Sequence, residues 1–269
     1  MKRIHASFLA SALTISACVP LEGTEWSLPA SLDAGADVAT NGCIHNIIKG
    51  SPTAWIQKQP QMHLIFWNDF PTNEAITYLD AWDDLLNNST VLQRLSEYGI
   101  QGGYLDYQFY NAIPSNPILL HPTLGDAGIS AGDAGTLYSD DGIEGELNLE
   151  IQTGAIPAPT DNTIYMVMFP PNTLTYDMYA GGWGGYHGAA TYGGQRYTFG
   201  IISYHSNWQF TDEIISHELG EAATDPDTLT GWRDYPSGQE IADLCLYIPT
   251  TIDGYTVQKY WSEMACQCQ

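Results

Sequence analysis

The segment 211–226 (TDEIISHELGEAATDP) constrains the fold of this chain more than any other part of its sequence. Thr211 is a favourable N-cap residue, and the carboxylates of Asp212 and Glu213 suit the positive end of a helix dipole. Pro226 cannot continue a helix and marks its end. The sequence therefore predicts one capped helix over this segment.

The middle of this helix carries a pattern typical of metal binding. His217 and Glu221 are four residues apart, so both side chains project from one face of the helix, with Glu218 beside them. A catalytic zinc ion needs ligands on a rigid element and a nearby carboxylate that takes a proton from the bound water. The pattern predicts a zinc site with His217 and Glu221 as ligands and Glu218 as the catalytic base.

Two alternatives remain open for these residues. The motif is H-E-x-x-E, and a carboxylate in place of a second imidazole makes a bound ion a weaker Lewis acid. The first alternative is a buried network of salt bridges and hydrogen bonds without a metal ion. The second is a structural calcium site, which leaves His217 unexplained because calcium prefers oxygen ligands. Its ligands would be Asp225, Asp227, Asp234 and Asp243.

The segment 240–245 (EIADLC) reads as a short helix in which Glu240 and Asp243 are three residues apart and share a face. Its distance from Glu221 resembles that in the gluzincin peptidases, where a Glu on a following helix is the third ligand. In that family an Asp one turn further on holds the first His through its other ring nitrogen. The resemblance implies that Glu240 is the third ligand and that Asp243 holds His217, although the two roles can be exchanged.

Two further motifs bear on function. His187 lies in a Gly-rich segment, 181–194, predicted to be a loop, and it could steady the oxyanion of a hydrolytic intermediate or have no role. The segment 128–132 (GISAG) matches the G-x-S-x-G motif of serine hydrolases. That motif needs a strand before it and a helix after it, and the surrounding Gly, Asp and Pro residues predict neither, so a serine hydrolase is not favoured.

Charge and hydropathy exclude several classes of protein. The 269 residues include 8 Lys and Arg against 31 Asp and Glu, a formal net charge of −23. Such a surface repels phosphate backbones, so we expect no nucleic-acid partner. No run of 18 or more apolar residues occurs, so nothing in the mature chain is expected to span a bilayer. We expect a monomer that acts on a peptide or protein.

The N-terminus predicts export. Lys2 and Arg3 precede an apolar stretch, residues 4–17, too short to span a membrane. Ile15-Ser16-Ala17-Cys18 resembles a bacterial lipobox, so we interpret 1–17 as a lipoprotein signal peptide and expect a lipid on Cys18 as the membrane attachment. The alternative is an ordinary signal peptide of a secreted protein. Residues 18–42 lack periodicity and predict a flexible tether, which leaves 43–269 as a single domain.

Four cysteines follow Cys18, and in an exported chain they predict two disulfide bonds with three conceivable pairings. Cys266 and Cys268 are separated by one residue, so each is expected to bond elsewhere. Cys43 and Cys245 would then each pair with one of them.

Apolar runs and helical periodicity predict an α/β or α+β domain with a mixed sheet. The predicted strands are 62–67, 104–113, 163–169, 196–203 and 255–261, and the predicted helices are 72–87, 90–99 and 144–153 besides the helix of segment 211–226.

Several blocks together resemble the EXORDIUM / phosphate-induced protein family of plant extracellular proteins and its bacterial relatives. The blocks are MHLIFW (62–67), TIYMVMF (163–169), GYHG (185–188), SHELGEAATDP (216–226), EIADLC (240–245) and VQKYW (257–261). The resemblance implies a zincin-like fold, in which a helix bearing HExxE packs on a mixed sheet, and an exported protein acting near a cell wall. It points to His217, Glu218, Glu221, Glu240 and Asp243 and supplies no substrate.

These observations together predict an exported, lipid-anchored zinc metallohydrolase, most simply a peptidase. The alternative is a non-catalytic binding protein of the cell envelope on the same scaffold. It would use exposed Trp and Tyr side chains of the Gly-rich segment to bind glycan or peptide.

Overall fold

The computed structural model describes residues 43–269 except 89, 113, 115–135, 172, 183 and 236. The strands in chain order are β1 (Ile47–Lys49), β2 (Gln61–Trp67), β3 (Tyr104–Leu105), β4 (Tyr110–Ala112), β5 (Thr136–Tyr138), β6 (Thr163–Met168), β7 (Thr173–Thr175), β8 (Gly185–Tyr192), β9 (Gln195–Ile202), β10 (Trp232–Asp234), β11 (Pro249–Ile252), β12 (Tyr255–Gln258), β13 (Trp261–Ser262) and β14 (Gln267–Cys268). The α-helices are α1 (Thr72–Asp83), α2 (Asp140–Thr153), α3 (Tyr176–Gly181) and α4 (Trp208–Thr224). A π-helical turn covers Asp84–Asn88, and 3₁₀ helices cover Val91–Tyr98 and Asp243–Cys245.

The largest sheet is mixed, as predicted. Its strand order is β3-β2-β6-β9-β8, and β4 also pairs with β2. The strands β3, β4, β2, β6 and β9 run parallel, whereas β8 runs antiparallel to β9 at one edge. The chain thus combines helices with a mixed sheet, which confirms the fold class at this level.

The central strand β2 shows why the sheet is covered on both faces. Met62, Leu64 and Phe66 pack into a hydrophobic cluster that includes α1 and α4. Ile65 and Trp67 point the other way, into a cluster that includes α2. A continuous apolar run is typical of a strand buried on both faces, so the prediction of a buried strand at 62–67 is confirmed.

The Gly-rich segment differs from its prediction, because most of it is strand β8 rather than a loop. β8 and β9 form a hairpin whose turn is Gly193-Gly194, with φ values of 59° and 86° that favour glycine. His187 therefore sits in a strand, opposite Gly200, instead of in a loop.

The N-terminus of α4 also differs from its prediction. The helix begins at Trp208, and the side chain of Asn207 caps it by accepting from the backbone N–H of Gln209. Thr211, predicted as the cap, is buried within the helix. Asn207 is an equally good cap four residues earlier, which local residue preference could not distinguish.

Two disulfide bonds confirm the predicted use of the cysteines: Cys43–Cys266 and Cys245–Cys268. Disulfide bonds are typical of an extracellular or otherwise oxidising environment. The second bond ties the 3₁₀ turn Asp243–Cys245 to the C-terminal strand β14.

Three sequence predictions fall outside the described residues: the signal peptide 1–17 with Cys18, the tether 18–42 and the segment 128–132. In the part of the chain that the structure describes, none of the helices combines the length and the apolar character needed to cross a membrane.

Candidate metal centre

The helix α4 brings His217, Glu218 and Glu221 into the interior, where all three side chains are fully buried. It packs against β8 and β9 of the sheet and against β12. Gly185 of β8 allows the close approach, since a Cβ there would lie 2.6 Å from Ile214 Cγ2 and 3.0 Å from Glu218 Oε1. The absence of a side chain at Gly185 thus makes room for a carboxylate inside the fold.

The imidazole of His217 is oriented by Gln258 of β12. Its Nδ1 lies 2.9 Å from Gln258 Oε1, and the amide of Gln258 cannot turn because its Nε2 donates to the carbonyl of Ala242 at 2.7 Å. In the neutral ring Nδ1 therefore carries the hydrogen, and the free electron pair is on Nε2. That nitrogen lies 3.3 Å from Glu221 Oε1 and 3.8 Å from Asp243 Oδ1.

The imidazole of His187 is fixed in the same way from the strand side. Its Nε2 lies 3.2 Å from the backbone carbonyl oxygen of Asp225, which can only accept, so Nε2 carries the hydrogen. Its Nδ1 lies 3.4 Å from Glu218 Oε2 and 3.7 Å from Glu221 Oε2. Both histidines thus direct an electron pair at carboxylates, the arrangement that suits a metal ligand.

Glu240 lies beside His187 rather than beside Nε2 of His217. Its Oε1 is 3.6 Å from His187 Nε2, and its Oε2 is 3.9 Å from Arg233 Nη2. Arg233 in turn places its Nε 3.2 Å from Asp225 Oδ2. That Glu240 is a metal ligand stays a prediction, and its burial next to His187 keeps it within the centre.

The gluzincin likeness implies that Asp243 holds His217 through its second ring nitrogen, but Gln258 occupies that position. Asp243 lies on the Nε2 side, and its backbone N–H donates to Glu221 Oε1 at 3.1 Å. The geometry therefore favours the exchanged role, with Asp243 on the ligand side. β12 passes along α4 and supplies the contact, which spacing within 240–245 cannot reveal.

The residues fit a divalent metal ion. Within the described residues, several buried atoms form no hydrogen bond: His187 Nδ1, His217 Nε2 and both carboxylate oxygens of Glu218 and of Glu240. Two sets of ligand atoms lie within 4.8 Å of one another, namely His187, Glu218 and Glu221, and His217, Glu221 and Asp243. Buried polar atoms without partners are costly, and imidazole with carboxylate is a donor set that zinc accepts. These buried groups could hold a metal ion.

The negative charge of these buried carboxylates must be balanced by protons or by a cation. Burial lowers the pKa of His217, but Glu221, Glu218 and Asp243 outweigh it and raise the pKa to about 10. The pKa of His187 is likewise lowered by burial and raised, to about 10, by the surrounding glutamates. Burial raises the pKa of Glu218 and that of Glu240. Protons on these groups are therefore the alternative to a cation, and a metal ion must compete with them.

Three of the four aspartates of the calcium alternative are engaged with protein donors. Asp225 accepts from the backbone N–H of Gly231 and faces Arg233, and Asp227 accepts from Thr230. Asp234 contacts His45 and accepts from the backbone N–H of Asn46. In the described parts of the chain, neither set of candidate metal ligands includes any of these three aspartates.

Gln258 is the site residue that sequence reasoning missed. It lies within VQKYW (257–261), and a glutamine in a strand carries no metal-binding signal of its own. Only the contact between α4 and β12 reveals its position next to His217.

Comparison of the chain with protein-family models, with curated proteins and with solved structures finds no match. The centre must therefore be interpreted from its own geometry.

Proposed function

We propose that the protein is an exported metallohydrolase that holds Zn²⁺ between His217, Glu221 and Asp243 and cleaves peptide bonds. One observation carries the proposal: on a helix with the H-E-x-x-E pattern, an imidazole nitrogen of fixed tautomer converges with the buried carboxylate of Glu221 and with that of Asp243 from the 3₁₀ turn. The packing of this helix on a mixed sheet supports a zincin-like fold, in line with the family resemblance.

The side chains suggest how the chemistry is divided. A bound cation would polarise the substrate carbonyl and acidify a water molecule. Glu218 would accept the proton of that water, since its carboxylate oxygens make no hydrogen bond within the described residues and burial raises its pKa. His187 Nδ1, 3.4 Å from Glu218 Oε2, would hold the proton until it reaches the leaving amine. This role replaces the oxyanion contact expected for His187, because its Nε2 already donates to Asp225.

Substrate and location follow from charge and from the N-terminus. The formal net charge of −23 would attract cationic peptides at low ionic strength. The lipobox-like sequence at Cys18 would keep the domain at the cell envelope, and two disulfide bonds suit that compartment.

Elemental analysis and one isosteric variant test the proposal. Protein purified without chelator should retain zinc that is lost in His217→Ala. Glu218→Gln should abolish cleavage of a peptide library while the zinc that depends on His217 remains, and Glu150→Gln on α2, outside the centre, should behave as wild type. A wild type that retains no metal, or a Glu218→Gln variant that still cleaves, would falsify the assignment.

Burial favours a second function, a non-catalytic envelope-binding protein with a closed metal centre. His187, His217, Glu218, Glu221 and Glu240 are fully buried, and closed coordination is typical of structural zinc. Under this alternative, zinc raises the melting temperature but the metal-loaded protein cleaves no member of a peptide library.

A further inference from the structure

The carboxylate of Glu221 lies between two separate sets of ligand atoms. Its Oε1 is 3.3 Å from His217 Nε2, and its Oε2 is 3.7 Å from His187 Nδ1. Asp243 completes the first set and Glu218 the second. In the described residues no such set includes both imidazoles, so the two rings do not converge on one point.

We propose that this centre holds two divalent cations, with Glu221 as the bridging ligand. The inference rests on the proposed cation site at His217, Glu221 and Asp243 and adds a second site formed by His187 Nδ1, Glu218 and the other oxygen of Glu221. One carboxylate that joins two ions about 3.5–4 Å apart is a common arrangement in two-metal centres.

Tautomers and unpartnered atoms support the second site independently of the first. The backbone carbonyl of Asp225 fixes His187 so that Nδ1 faces the carboxylates, and Nδ1 has no hydrogen-bond partner within the described residues. Both oxygens of Glu218 are also buried without hydrogen bonds there. A histidine needed only for packing would not require its ring nitrogen to be aimed at two carboxylates.

Charge balance supports two ions over one. Four buried or nearly buried carboxylates surround the imidazoles, those of Glu218, Glu221, Glu240 and Asp243. The nearby guanidinium of Arg233 faces Asp225 at 3.2 Å and Glu240 only at 3.9 Å. Two divalent cations would balance the four carboxylates, whereas with one cation the remaining negative charge would have to be neutralised by protons on these groups.

The second cation and the proton-accepting role compete for the same carboxylate. When the second site is filled, Glu218 is a ligand and cannot accept a proton from water. Occupancy of this site would therefore switch the hydrolase off as zinc rises, and the form with one cation is the active one.

Titration of metal-free protein with ZnCl₂, followed by calorimetry, tests the proposal without an activity assay. Wild type should bind two equivalents, and Glu218→Gln, which is isosteric, should bind one. His187→Ala should also bind one. His63→Ala, which removes a buried imidazole from β2 outside the centre, should still bind two.

The outcomes separate this proposal from the proposed function. One equivalent in wild type, lost in His217→Ala but kept in Glu218→Gln and His187→Ala, would leave the first site standing and overturn the second. One equivalent that both histidine variants lose would indicate a single centre shared by the two rings and also overturn it. No binding by wild type would remove both proposals. X-ray absorption of the two-equivalent form should show a metal–metal distance of about 3.5–4 Å, and its absence would refute the bridge.

Discussion

Replacing Gln258 with Leu should weaken metal binding although Gln258 would not touch the ion. In the wild type its Oε1 accepts from His217 Nδ1 at 2.9 Å while its Nε2 donates to the carbonyl of Ala242 at 2.7 Å. Leucine fills a similar volume but offers neither contact. His217 would then be free to adopt the other tautomer or to rotate, and the electron pair on Nε2 would no longer be fixed toward Glu221.

The magnitude follows from the contacts that are lost. Loss of a partner that orients a ligating histidine typically costs about 10–100-fold in metal affinity, or about 1.4–2.7 kcal/mol. Two buried partners, His217 Nδ1 and the carbonyl of Ala242, would lose their hydrogen bonds at about 1–3 kcal/mol each. We therefore expect the free energy of unfolding of the metal-free protein to fall by about 2–6 kcal/mol. Zinc competition with a chromophoric chelator and urea denaturation measure the two effects separately.

Gln57→Leu is the matched control. Gln57 is also fully buried, and its Nε2 donates to Thr163 O at 3.1 Å and to Thr198 Oγ1 at 2.9 Å rather than to a group of the metal centre. The control should lose comparable stability and keep its zinc affinity. If Gln258→Leu kept wild-type affinity, or if both variants lost affinity equally, Gln258 would have no specific role in orienting His217.

Three further changes test other parts of the structure. Burial raises the pKa of Asp212 from 3.8 to about 7, so its contribution to stability is full below about pH 4 and is lost as the pH rises through 7. Asp212→Asn should therefore stabilise the protein by about 2–4 kcal/mol at pH 8 and by almost nothing at pH 4 in urea titrations. Equal effects at the two pH values would refute this. Replacing Cys245 and Cys268 with Ser should cost about 3 kcal/mol of stability. It should also lower zinc affinity, because the turn that carries Asp243 loses its anchor. Unchanged zinc affinity in chelator competition would contradict the role of this disulfide bond in positioning Asp243. Gly185→Ala should destabilise the fold, since the added Cβ would meet α4 at 2.6 Å, whereas a melting temperature equal to wild type would show that α4 can move away.

The helical part of the centre could be predicted from sequence because its information is local. His217 and Glu221 lie on one face of a helix for any fold that keeps the helix, and the structure brings both together at 3.3 Å. The pairing of Cys43 and Cys245 with the C-terminal cysteines was also predictable, since neighbouring cysteines rarely bond to each other. Which cysteine takes which partner needed the fold.

The rest of the centre depends on contacts between distant segments. His187 comes from a strand that its glycines made look like a loop, and Gln258 comes from β12, 41 residues after His217. The position of Asp243 on the Nε2 side of His217 has the same origin. The spacing of Glu240 and Asp243 predicts a shared helix face, but the helical turn covers only Asp243–Cys245, and Glu240 instead forms a β-bridge with Arg233.

The burial of the centre decides how either proposed function would operate. The side chains of His217 and Glu221 have no exposed surface, whereas 13% of the Asp243 side chain is exposed. Among these described ligand candidates, solvent therefore reaches the centre from the side of Asp243. A hydrolase must admit water and a peptide there, past a turn that the Cys245–Cys268 disulfide bond ties to β14. A closed structural centre needs no such opening. The hydrolase proposal therefore requires that the oxidised, metal-loaded protein turns over peptide, and absence of turnover by that form would favour the closed structural centre.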